Sequence, residues 1–165
     1  MPIFVHLTPA GQVQRIRRSG IKKGRQGVYC MPVLPNYYIS HQWVRELKRS
    51  GQRTITAIYF YLPAEEPVLV GRYNKLHQSV GAGEASKILA QASDAEGYEV
   101  LLPRAVARAE IQRVRAVPQV VGWRFFPNSH LSQPCGCRWC LRGDIKAQRQ
   151  WRRLQQADPT RTIRW

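Results

Sequence analysis

No apolar run in this 165-residue chain approaches the ~20 residues that a membrane-spanning helix needs. The opening Met1-Pro2-Ile3-Phe4 is not a secretory signal either, so the expected location is the cytoplasm, or export without a cleavable signal. No internal repeat and no low-complexity segment is present, which argues against a repeat array and against a solvated linker. Acidic residues are scarce: 10 Asp and Glu stand against 26 Lys and Arg, a net charge of +16. Such a chain repels itself, and the charge calls for a partner: nucleic acid (RNA favoured over DNA), a neutralising acidic protein or an anionic surface. The plainer alternative is a basic face that serves only solubility. Of these partners a membrane is not expected, and a monomer is. Cysteine is too sparse and too clustered for a disulfide scaffold, with Cys30 alone and three more at 135, 137 and 140.

What is present suffices for one folded domain. The hydrophobic share of 44% and 10% aromatics can build a core in a chain of 19.0 kDa. Residues 3–7 read as a strand, and Thr8 as the cap of a helix from Ala10 to Ser19 that Gly20 stops. Gly27 to Met31 is a second strand, ended by Pro32. From Asn36 to Gly51 the apolar spacing is helical, and Thr54–Leu62 (TITAIYFYL) is β-branched and aromatic, suited to a central strand. Val68–Gly71 is a further apolar run, Gly83–Ala92 a short helix, and Tyr98–Leu102 a strand stopped by Pro103. An amphipathic turn over Ala109–Val114 and a strand from Val120 to Phe126 complete the domain. Strands interspersed with two or three helices predict an α+β fold.

The residues from 127 onward differ in character. Residues 101–165 hold thirteen basic and three acidic side chains, +10 of the total. His130-x4-Cys135-x-Cys137-x2-Cys140 has the ligand types and close spacing of a structural zinc site. His130 or Cys30 would complete three thiolates, with Asp144 a weaker candidate; free thiols and a redox role are the alternatives. Trp139 and Trp151 lie among Arg138, Arg142, Arg149, Arg152 and Arg153, within or beside an Arg- and Gln-rich helix expected over 144–156. That mixture suits stacking on RNA bases and pairing with phosphates, or packing of the tail on its domain. Residues 1–126 and 127–165 are therefore read as a domain and its extension.

Glu99 lies midway along the apolar strand Tyr98-Glu99-Val100-Leu101-Leu102, where it either faces water on an edge or lines a cleft. With His6-Leu7-Thr8 at the end of the first strand and Gly27-Val28-Tyr29 on the second, the order resembles the ADP-ribosyltransferase fold of the His-Tyr-Glu type. That fold is shared by poly(ADP-ribose) polymerases and diphtheria-like toxins. The resemblance spans about residues 1–126 and implies a split, mixed sheet with short helices. It also implies that NAD is the substrate. His6 would hydrogen-bond the adenosine ribose near Thr8, and Tyr29 would pack along the nicotinamide. Tyr37 or Tyr38 would stack on its ring, and Ser40 would hold the carboxamide. Glu99 would bind the nicotinamide ribose and stabilise the cationic charge that develops as nicotinamide leaves.

Gly97 stands two residues before Glu99, where the arginine-modifying subclass has Gln or Glu, which weakens the resemblance to that subclass. The acceptor implied by the charge is a nucleic acid or a nucleic-acid-associated target; the role of a toxin or defence effector is implied by analogy of fold alone. RNA 2′-phosphotransferases share the fold and use NAD, but they rely on arginines and a second histidine, for which Arg15, Arg17, Arg72 and His77 are available. By itself His77, like His41, reads as a surface or packing residue. A reading of another class is a non-catalytic, zinc-containing nucleic-acid-binding module built on the C-terminal cysteines and arginines.

Overall fold

The computed structural model describes residues 1–49 and 51–123 together with Arg153. The chain divides into two compact units, Met1–Arg124 and Phe125–Trp165, and all described residues except Arg153 belong to the first. The candidate zinc ligands His130, Cys135, Cys137 and Cys140, both C-terminal tryptophans and the helix expected over 144–156 lie outside the described residues.

The first unit is α+β. In chain order it contains β1 (Ile3–Pro9), a 3-10 turn (Ala10–Gln12), α1 (Val13–Ser19), β2 (Val28–Pro32), α2 (Tyr37–Ser40) and α3 (Val44–Arg49). There follow β3 (Ile55–Tyr61), β4 (Pro67–Arg72), β5 (Gln78–Gly81), α4 (Ala82–Gln91), β6 (Tyr98–Leu102), a 3-10 turn (Arg108–Glu110) and β7 (Ile111–Ala116). The strands form one sheet in the order β5-β4-β6-β2-β1-β3-β7. Every pairing among them is antiparallel, so the sheet is not mixed as expected. The chain comes back from α1 through the loop before β2 in the opposite sense to β1. Between β1 and β2 the register holds two pairs, Phe4–Pro32 and Val5–Met31, against seven between β1 and β3.

Several element boundaries differ from the sequence reading for identifiable reasons. Thr8 does not cap a helix: it pairs with Thr56 and is buried, so β1 continues to Pro9 and α1 starts later without a side-chain cap. Gly20 does stop α1. Its φ is +76°, and a Cβ there would lie 2.2 Å from the Val106 carbonyl, to which Ile21 pairs. Asn36 caps α2 by accepting from the Tyr38 and Ile39 amides, but the single helix expected to Gly51 breaks at His41–Trp43, between α2 and α3. β3 is the penultimate strand rather than a central one, although Ile55, Ala57, Ile58 and Phe60 are wholly buried. β7 occupies the region read as an amphipathic turn, and residues 120–123 of the strand expected after it are not extended sheet.

The core runs along the sheet, with Phe4, Phe60, Ile16, Leu89 and Leu102 fully buried. Each such side chain contributes ~1.5–3 kcal/mol by leaving water. α4 packs on β4, β5 and β2, and its buried Ala82, Ala85 and Leu89 face that layer. The middle of the sheet, β6-β2-β1, is thereby held between two well-paired flanks.

Candidate active-site groove

His6, Tyr29 and Glu99 come from β1, β2 and β6, three neighbouring strands in the middle of the sheet. Tyr29 pairs with Leu101, and side chains opposite each other on antiparallel strands share a face. Glu99, two residues along from Leu101, is on that same face. His6 reaches the site differently. β1 and β2 part after the Val5–Met31 pair, and in the gap His6 Nδ1 lies 2.8 Å from the Tyr29 carbonyl. A carbonyl only accepts, so the proton is on Nδ1, and in the neutral ring Nε2 is left as an acceptor. Burial holds His6 below its usual range, partly offset by that hydrogen bond, which keeps the ring neutral at pH 7.

Three clefts meet at these residues. The first, ~640 Å³, is lined by His6, Thr8 and Tyr29 together with the basic Arg15, Lys22 and Arg25. The second, ~310 Å³, lies where β1 and β2 part and is apolar, with Leu7, Met31, Trp43 and Tyr73 beside His6, Tyr29 and Glu99. The third, ~590 Å³, has Tyr29, Glu99, Asn74, Lys75 and His77 in its wall. Tyr29 borders all three, of which the first is basic, the second apolar and the third polar.

Tyr29 is 46% exposed on an otherwise buried strand, and its hydroxyl donates to Gln26 Oε1. Burial first, then the nearby Glu99 and Tyr73, hold its phenol above the usual range and therefore protonated. Glu99 is 8% exposed. Its carboxyl is pushed up by burial and opposed by His77, whose Nε2 lies 3.1 Å from Oε1. His77 was read as a surface or packing residue; here it packs on Glu99. Gly71 makes room for it. That glycine lies opposite Glu99 in the β4–β6 register, and a Cβ on it would come within 2.9 Å of the His77 ring. Trp43 steadies the start of β6 by donating from Nε1 to the Tyr98 carbonyl at 2.8 Å, with its ring edge-on to Tyr73 and Trp123.

The structure does not bring Tyr37, Tyr38 and Ser40 into these three clefts. Tyr37 stacks on His41 at 3.9 Å, and the Tyr38 hydroxyl donates to Glu96 at 2.6 Å. Ser40 is fully buried, with Oγ accepting from the Leu34 amide at 2.8 Å and turned toward the Asn36 carbonyl. Trp43 and Tyr73 are the aromatics that line the apolar cleft instead. Arg15 lines the basic cleft, whereas Arg72 pairs with Asp94 and lies over Tyr98. Cys30 is buried on β2, and burial pushes its thiol far up. Among the described residues no three His, Cys, Asp or Glu side chains gather as a metal site, and no helix is long and apolar enough to cross a membrane.

Comparison with protein-family models, curated proteins and solved structures finds no match for the chain.

Proposed function

We propose that the chain is an NAD-dependent ADP-ribosyltransferase whose acceptor is a nucleic acid or a nucleic-acid-associated target. The observation that carries the reading is the arrangement of clefts: His6, Tyr29 and Glu99 from three adjacent strands border an apolar cleft, and His6 and Tyr29 also border a basic one with Arg15, Lys22 and Arg25. A dinucleotide needs such surroundings, cations for its pyrophosphate and aromatic surface for its nicotinamide. NAD supplies a ribosyl carbon whose bond to nicotinamide breaks with the electron pair leaving on nicotinamide, while the acceptor forms the new bond and loses its proton. The chain's own residues orient and stabilise. Nε2 of neutral His6 accepts from a ribose hydroxyl, and the Tyr29, Trp43 and Tyr73 rings exclude water from the middle cleft. Glu99, in that dry wall, lies against positive charge developing on the ribose. A fixed carboxylate is worth far more there than in water.

The net charge of +16 supports a polyanionic acceptor, held through phosphates rather than through base sequence. A toxin or defence role is an analogy of fold alone. The basic cleft also suits the second reading, an RNA 2′-phosphotransferase, in which Arg15 would grip the transferred phosphate.

Purified protein incubated with labelled NAD and, separately, with RNA, DNA and cell proteins decides between them. Label on an acceptor together with free nicotinamide, both lost in Glu99→Gln, is the expected result. Full activity in Glu99→Gln sinks the assignment. Removal of a 2′-phosphate from RNA selects the phosphotransferase, and salt-sensitive binding without NAD turnover selects a binding module.

A further inference from the structure

We infer that His77 is a positioning residue that sets the charge of Glu99: it holds the buried carboxyl in its ionised form through a direct contact that only a glycine at position 71 permits.

Both ring nitrogens of His77 face oxygen acceptors. Nδ1 lies 2.9 Å from the Lys75 carbonyl, which has no proton to give, so Nδ1 carries one. Nε2 lies 3.1 Å from Glu99 Oε1, within ion-pair range but off the line of a good hydrogen bond, and among the described residues it has no other partner. A lone pair on Nε2 facing a carboxylate would repel it, and the contact closes only with one proton in it. Two arrangements supply that proton: carboxylate against N–H, or carboxyl O–H against the nitrogen lone pair. The first puts an imidazolium 3.1 Å from the carboxylate, and His77 acts on Glu99 in the sense opposite to burial.

The β4 backbone is shaped for the contact. Gly71 and Glu99 are register partners, so any side chain at 71 would stand on the same face as the carboxyl, in the space the imidazole fills. An added Cβ would meet the ring and the Leu76 carbonyl, both at 2.9 Å.

Other groups around the pair do not reproduce the effect. Tyr29 from β2 and Tyr73 after β4 are phenols, and His6 from β1 is neutral. Glu46 from α3 and Lys75 from the β4–β5 connection carry opposite charges and stay in place in the variants below.

The test uses the full chain labelled with carboxyl-¹³C glutamate, in which the Glu99 resonance, assigned by its absence in Glu99→Gln, is followed against pH. In His77→Gln the Glu99 transition should move to higher pH by about one unit or more, the size of effect an adjacent opposite charge has. Gly71→Ala, which leaves the histidine but displaces its ring, should move it the same way. An unchanged transition in both, or one moved to lower pH, overturns the inference, the latter because it would mean the neutral acid is the form His77 stabilises. The activity arm rests on the ribosyltransfer reading: the acid limb of kcat for NAD consumption should move with the NMR transition, by about tenfold at a fixed pH on that limb. A wild-type protein that consumes no NAD defeats that reading alone, and the carboxyl titration still decides the role of His77.

Discussion

Gln42 has no exposed surface, and its side-chain amide is spent on the loop that leads into β6. Nε2 donates to the Ala95 carbonyl at 3.0 Å, and Oε1 accepts from the Gly97 amide at 2.7 Å. Its own carbonyl accepts from the Trp123 amide at 2.6 Å, against a backbone turn at Gly122 where a Cβ would lie 2.1 Å from that oxygen. Gln42→Leu keeps the volume and removes both side-chain bonds, stranding one buried donor and one buried acceptor. Each stranded group costs ~1–3 kcal/mol. Leucine recovers ~1–2 kcal/mol as added apolar burial, so the net loss should be about 1–4 kcal/mol. With a urea dependence near 2 kcal/mol per molar, typical of small domains, the unfolding midpoint should fall by ~0.5–2 M. Equilibrium unfolding followed by far-UV circular dichroism reads this directly. A midpoint within ~0.3 M of wild type would refute the reasoning, since it would mean that water or a shifted backbone satisfies Ala95 and Gly97 without the glutamine.

Arg104 forks between two carboxylates, Nε to Glu66 at 2.8 Å and Nη2 to Glu110 at 2.7 Å, and Arg104→Met should cost ~1 kcal/mol because the guanidinium is partly exposed and screened. The Arg104 hydrogen bond is the main reason the Glu110 carboxyl is held below its usual range, so that stabilisation is complete above the ordinary glutamate value and disappears as pH falls through the depressed one. The gap between wild type and Arg104→Met should therefore narrow from pH 6 to pH 3 in urea midpoints, and a widening gap would contradict it. Replacing Arg15, Lys22 and Arg25 together with alanine should weaken binding of free ADP-ribose by at least about tenfold in calorimetry, the loss of one charged hydrogen bond or more; unchanged affinity would place the pyrophosphate elsewhere.

The strands that build the groove were legible because β1, β2 and β6 are short apolar runs closed by proline or polar turns. β7 was not, for a local reason. Its register with β3 passes from Tyr59–Arg113 to Phe60–Ile111, so Gln112 is an extra, bulged residue. The bulge leaves Ile111 and Val114 as the half-buried positions of an otherwise exposed strand, and a three-residue spacing in sequence imitates a helix. The break between α2 and α3 is similar: the apolar spacing runs through His41–Trp43, but buried Gln42 is claimed by a loop more than fifty residues away. His6, Tyr29 and Glu99 could be picked out because their residue types are conspicuous in apolar strands. His77 was named only as the second histidine of the phosphotransferase reading; its place beside Glu99 was not legible, because what brings it there is the pairing of β4 with β6 and an absent side chain at Gly71, neither of which is written near position 77. The stacking role expected of Tyr37 or Tyr38 and the carboxamide role of Ser40 rested on the order of motifs; in the fold these residues belong to the turn of helix capped by Asn36, and Trp43 and Tyr73 line the apolar cleft.

The position of the groove follows from a failure of pairing. Antiparallel strands in register satisfy each other's backbone groups, and a gap between them leaves donors and acceptors to be met by something else. β1 and β2 stop pairing after Val5–Met31, and the His6 imidazole enters the gap and takes the Tyr29 carbonyl. Residues of both parities, Val5, His6 and Leu7 from one strand and Tyr29, Cys30 and Met31 from the other, can therefore line a single cavity, which a closed sheet would forbid. The same hydrogen bond fixes the tautomer, so the feature that holds the gap open also presents Nε2 as an acceptor beside it. On the other flank of β2 the ladder with β6 runs from Val28–Leu102 to Cys30–Val100, and the β4–β6 ladder holds Glu99 opposite Gly71. An open seam on one side and paired strands on the other give room for a ligand without loosening the carboxylate, as the proposed stabilisation of a short-lived charge would require.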